Sequence, residues 1–249
     1  PEQTTQEPEQ PDYPIVEDMY YKDENIEISI EETEYINENG VPTTVFIVDL
    51  KLSDIEYLMT AFAKGRFGNN IEEKTSEIAK ANDAIFAING DFYGFRDEGF
   101  VLRNYELWRA SARHDGIDDA LVIDNKGNMY SVDERKYDAL TFPYSIYQVF
   151  SFGPTLIEDG NVVVEYSDEV GQSASSNPRT AIGMIEPLHY KIVVSEGRLV
   201  DDDGLTLYEL AEIMKDEGCV YAYNLDGGSS TTLYFNGRVI NELYKEERE

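Results

Sequence analysis

Residues able to do chemistry gather at two polar breaks in apolar runs. One is Asn224-Leu225-Asp226-Gly227-Gly228-Ser229-Ser230-Thr231-Thr232, directly after Val220-Tyr221-Ala222-Tyr223. A carboxylate leaving a strand beside two glycines can meet a ligand closely, because glycine takes backbone conformations that side chains forbid. Successive N–H groups in such a turn form an anion-binding concavity. The hydroxyls that follow suit a phosphate, a sugar or a metal-bound water, although Asp-Gly-Gly is also an ordinary turn former. The second break, Asn89-Gly90-Asp91-Phe92-Tyr93, follows Ala84-Ile85-Phe86-Ala87-Ile88. If the two strands lie close and run the same way, Asp91 and Asp226 converge at one rim of a sheet, the usual place for a site.

Two arginines add the complementary charge. Pro178 fixes the backbone just before Arg179 and Thr180, and Arg103 with Asn104 follows the short apolar run Gly99-Phe100-Val101-Leu102. A guanidinium fork fits phosphate oxygens in a bidentate way, while each arginine alone suits a surface ion pair. Together with two aspartates and a glycine turn they predict a site. Asp226 would attack or exchange a proton at the scissile bond with Asp91 as second carboxylate, or the two would hold Ca²⁺ or Mg²⁺.

The elements that must position these groups are mainly β. Ile26, Ile28 and Ile30 alternate with acids, and turn signals recur at Glu38-Asn39-Gly40, Asn125-Lys126-Gly127, Glu158-Asp159-Gly160, Glu196-Gly197 and Asn236-Gly237. Helices are fewer: Thr75 to Ala81, and Thr206 to Glu217, where Thr206 and Glu209 form a capping box and Gly218 closes the end. Each leads into an apolar strand, Ala84 to Ile88 being fully apolar. The expected fold is α+β, a mixed, mainly antiparallel sheet with a few covering helices.

The 249 residues carry 20 Lys and Arg against 50 Asp and Glu, a formal charge of −30 that repels nucleic acid and anionic membrane surfaces. Cys219 is the single cysteine, which excludes an intrachain disulfide, and beside Val220 it reads as a packed, inert thiol. His114 and His189 make no zinc-ligand spacing. No stretch is apolar enough to insert in a membrane. Residues 1–15 open with a Pro-, Gln- and Glu-rich tether and 16–249 form one domain; the missing leader points to an exported, extracellular or cell-surface protein.

The segments AINGDFYG (Ala87 to Gly94), GFVLRN (Gly99 to Asn104), SFGPTLIEDG (Ser151 to Gly160), NPRTAIGM (Asn177 to Met184) and LTLYELAEIMKDEGCVYAYNLDGGSSTTL (Leu205 to Leu233) resemble, in order, the phosphodiester glycosidase family. The resemblance implies a hydrolase acting on a glycosyl-1-phosphodiester in an extracellular glycan or wall polymer. It makes Asp226, Asp91, Arg179 and Arg103 the catalytic residues. Asn89, Gly90, Asn104, Thr180, Asn224, Gly227, Gly228, Ser229 and Ser230 become substrate contacts. Two departures stand out: Ser229 where members commonly have a third glycine, and Asp91 where some have glycine. A non-catalytic carbohydrate-binding or adhesion module and a metal-dependent phosphodiesterase remain the alternatives.

Overall fold

The computed structural model describes residues 13–114, 116, 118–165 and 175–245. The tether expected over 1–15 falls almost wholly outside them, and Ile15 already pairs in the first strand.

The strands form three sheets. The largest runs β1 (Ile15–Val16), β2 (Tyr20–Lys22), β3 (Ile26–Ile36), β4 (Pro42–Leu52), β14 (His189–Ser195), β13 (Arg179–Glu186), β15 (Tyr221–Asn224), β11 (Thr155–Glu158) and β12 (Asn161–Val162). The second runs β7 (Glu106–Arg109), β6 (Val101–Arg103), β10 (Ile146–Ser151), β8 (Asp119–Asp124) and β9 (Met129–Asp133). The smallest joins β17 (Arg238–Val239), β16 (Leu233–Phe235) and β5 (Phe86–Ile88).

Every strand pairing among the described residues is antiparallel, which corrects the expectation of a mixed sheet. The reason lies in the turns: the signals around Gly40, Gly127, Gly160 and Gly237 each close a hairpin, and a hairpin needs no crossover helix. Glu196-Gly197 closes none. The α-helices among the described residues are α1 (Thr75–Ala81) and α2 (Leu207–Asp216), so the α+β class holds with a strong β bias, 40% of those residues in strands against 14% in helices once the short 3-10 turns are included.

The central sheet is buried on both faces, and the period of two sorts its residues. Val45, Ala181, Val193 and Ala222 face α2 with Leu207, Leu210, Ala211, Met214 and Cys219. Phe46, Ile182, Ile192, Val194, Tyr221 and Tyr223 face the opposite way, against Leu121, Ile123 and Tyr147 of the second sheet and Leu233 and Phe235 of the smallest. On β13 the residue under α2 must be small, since a Cβ on Gly183 would lie 2.5 Å from the Met214 methyl and 2.7 Å from the Cys219 sulfur. Helix α2 is fixed by its capping box: Thr206 Oγ1 accepts from Glu209 N, and Glu209 accepts from Thr206 N at 2.8 Å. The chain from its end drops into β15 and delivers Asp226.

Strand β5, though fully apolar, is not enclosed. It pairs with β16 on one side only, and Ile85, Phe86, Ala87 and Ile88 are all half-exposed rather than buried. Their apolar side chains line a cleft.

Candidate active site

The two polar breaks meet although their strands belong to different sheets. Asp226 N donates to Gly90 O at 3.0 Å. Asn89 fastens the junction: its Nδ2 donates to Asp226 O at 2.6 Å, while its Oδ1 accepts from Thr180 Oγ1 at 2.9 Å and Thr232 N at 3.1 Å. One side-chain amide thus joins the ends of β5, β13 and β15. The glycines are fitted to the same junction. A Cβ on Gly227 would lie 2.6 Å from Pro178 O, and Gly228 has φ +61° and donates its N–H to that carbonyl at 2.9 Å.

The junction opens on a cleft of about 1430 Å³. Asn89, Gly90, Asp91, Arg103, Arg179, Asn224, Asp226, Gly227, Gly228, Ser229 and Ser230 all line it. Thr180 stands behind, fully buried, holding Asn89. Asn104 lies elsewhere: with φ +49° it turns its Oδ1 to Thr60 N and Gln148 Nε2, at 3.1 and 2.7 Å, so it props the residues around Thr60 instead of facing the cleft.

The two aspartates differ in environment. Asp91 is closed into an ion pair: Arg103 Nη2 donates to both of its oxygens at 2.8 Å, Ser151 N donates to Oδ2 at 3.1 Å, and the side chains are 5% and 2% exposed for Arg103 and Asp91. Arg103 stacks 4.2 Å from the Phe150 ring centroid and donates to Val149 O, so its charge serves Asp91 and the sheet end. A cation at Asp91 would have to displace these donors. Among the described residues no group of three or more His, Cys, Asp and Glu gathers as a metal cluster.

Asp226 is half-buried and lies at the cleft. Burial pushes its pKa up to about 6, and nearby Asp91 adds to the rise. Hydrogen bonds from Ser230 and Gly227 N, and the Arg96 charge, oppose it. The Gly227 bond is 2.9 Å. A carboxyl with that pKa exchanges protons near neutrality. Asn224 sits one strand position before the turn, its Nδ2 donating to Gly153 O at 2.9 Å.

Arg179 lines the cleft but its guanidinium already works for the backbone, Nε donating to Leu205 O at 2.9 Å and Nη2 to Ser175 O at 3.2 Å. Three arginines that the sequence reading passed over also line the cleft. Arg113 is tied to Glu134 at 2.8 Å. Arg96 lies against the Phe92 and Phe152 rings and within electrostatic reach of Asp226. Arg198 is exposed, its Nε donates to Asn177 Oδ1 at 2.8 Å, and its guanidinium lies over Gly228, 3.2 Å from where a Cβ would be. The signal for Arg198 was the Glu196-Gly197 turn, whose polar residues close no hairpin.

A family model described as phosphodiester glycosidase matches residues 82–249, more than half of the chain. The chain belongs to the phosphodiester glycosidase family. Among curated relatives of this phosphodiester glycosidase domain, the SPbeta prophage-derived uncharacterized protein YomE of Bacillus subtilis is 26% identical over 186 residues, covering 71% of the chain and 28% of that protein. The mouse N-acetylglucosamine-1-phosphodiester alpha-N-acetylglucosaminidase is 32% identical over 98 residues, covering 34% of the chain and 19% of the enzyme. The chain therefore spans less than a third of the length of these relatives. The fold is shared with the catalytic domain of the zebrafish enzyme of that name, solved as auto-inhibited by its pro-peptide, at a TM-score of 0.70 and 20% identity over 89% of this chain and 77% of that one. The family match begins after α1, yet β4 pairs with β14 from Val45 to Lys51, so the preceding strands are built into the same sheet.

Proposed function

We propose that this phosphodiester glycosidase domain hydrolyses a glycosyl-1-phosphodiester, with Asp226 as general acid. The observation that carries the reading is a carboxyl with its pKa raised to about 6 in a cleft edged by Arg96 and Arg198. In the reaction water adds its oxygen to the anomeric carbon, the bond from that carbon to the phosphate oxygen breaks, and the phosphate monoester departs. A departing phosphate monoester has its second pKa near 6, so a carboxyl of similar acidity can hand it a proton and recover one from the water. Arg198, whose guanidinium lies over Gly228, supplies the charge that offsets the phosphate. The Asp91–Arg103 pair acts as a brace for the Asn89–Asp91 turn. Arg179 holds the approach to β13 and the Leu205 backbone.

The relatives' names make an N-acetylglucosamine-1-phosphodiester the first substrate to test, in the exported setting where glycan and wall-polymer diesters occur. Free sugar should be released; sugar-1-phosphate would instead mean cleavage on the phosphorus side. Asp226→Asn should lower kcat by about 10²-fold or more, and wild-type kcat should fall as pH rises through about 6. Arg198→Ala should lower kcat/KM by at least about tenfold. A folded Asp226→Asn protein with full activity refutes the assignment. The binding-module alternative has one observation in its favour: Asp91 is closed to Arg103, leaving Asp226 the open member of the expected pair where glycosidases commonly use two carboxylates. Glycan binding by wild type without any release of sugar would establish it.

A further inference from the structure

The cleft is larger than a sugar phosphate requires. Small-molecule sites usually enclose roughly 300–1,000 Å³, whereas this one holds about 1430 Å³. Part of its lining is β5, which runs back from the Asn89–Gly90 junction and has no strand partner on its second edge among the described residues. Aliphatic and aromatic side chains line it, Phe86 and Ile88 on β5, Ile85 just before it, Ile78 on α1, and Ile26 and Leu52 on the central sheet, with Glu72, Glu73, Lys74 and Asp83 in the same cleft. Five of these, Ile26, Ile78, Ile85, Phe86 and Ile88, are half-exposed side chains inside the fold. At the rim Tyr57 and Met59 are 45% and 69% exposed. An apolar surface of this extent, continuous with a polar site, marks a place for an apolar group. Charge points the same way, because a chain at −30 repels a polyanionic aglycone.

We propose that the apolar limb along β5 receives an aliphatic chain esterified to the phosphate, so that the substrate class is a lipid-linked sugar-1-phosphate. The proposal rests on the hydrolase reading for its chemistry. Hydrolysis of such a diester adds water across the anomeric carbon–oxygen bond and yields the free sugar and an alkyl phosphate, with no other reactant.

The limb can be tested apart from catalysis with n-alkyl phosphates of two to ten carbons, kept below their micellar concentrations and titrated by calorimetry. Affinity for wild type should rise by about fourfold for each methylene that enters the limb. Ala87→Phe, which fills the limb, should cut that gain short, and Ile85→Ser should weaken it, with melting curves confirming that each variant is folded. Affinity independent of chain length, or a gain that both folded variants retain, overturns the proposal. Methyl and decyl diesters of one sugar-1-phosphate separate it from the hydrolase reading. Equal kcat/KM on both keeps the hydrolase and removes the lipid, while chain-length-dependent binding with neither diester cleaved keeps the limb and removes the hydrolase.

Discussion

The cost of keeping Asp226 ionised should be visible as stability. Its pKa rises from 3.8 unfolded to about 6 folded, so between those values the folded protein binds more protons than the unfolded chain. Stability therefore falls as pH rises from about 4 to 6 and stays reduced above that. At roughly 1.4 kcal/mol per pKa unit the shift corresponds to about 3 kcal/mol, and the opening to the cleft reduces it to about 2 kcal/mol. Asp226→Asn cannot ionise and escapes this loss. At roughly 2–4 °C per kcal/mol for a chain of this size, the advantage of the variant over wild type should be about 5 °C larger at pH 8 than at pH 4. Melting curves followed by circular dichroism across that range measure it. A gap between variant and wild type that does not change with pH would refute the reasoning, because ionising Asp226 would then cost the fold nothing.

The Asp91–Arg103 pair should behave as a structural lock. Asp91→Asn leaves a guanidinium that is 5% exposed without its counter-charge, and about 3–5 kcal/mol of stability should be lost in chemical denaturation; an unchanged midpoint would remove the lock. Cys219 is buried under α2, and burial pushes its thiol up to about 12. Alkylation near neutral pH should therefore proceed no faster than unfolding, and rapid labelling of the native protein would contradict its packing role.

What could be read from the chain divides along local and non-local lines. The turn at Asp226, the capping box at Thr206 and Glu209 and four of the hairpins were legible because each is written within a few consecutive residues. The destination of each arginine was not. Arg103 reaches Asp91 only because β6 pairs with β10 and puts Leu102 opposite Val149. Arg179 is drawn to Leu205 O by the bridge between Asn177 and Leu205. Asn104 shared a motif with Arg103, but its positive φ turned it away from the cleft. The half-exposure of β5 was hidden for a related reason: an all-apolar pentamer reads as a buried strand, and nothing local says that one edge will be left without a partner.

The amide of Asn89 carries a consequence measured in time. Asparagine before glycine is the sequence most prone to deamidation, in which the following backbone nitrogen attacks the side-chain carbonyl. Here both ends of the amide are held, Nδ2 by Asp226 O and Oδ1 by Thr180 and Thr232, and the fold restrains the approach of Gly90 N. Each excursion to the unfolded state removes that restraint. Deamidation at Asn89 would put a carboxylate against the Asp226 carbonyl, so the age of the protein would be recorded at the junction where β5, β13 and β15 meet.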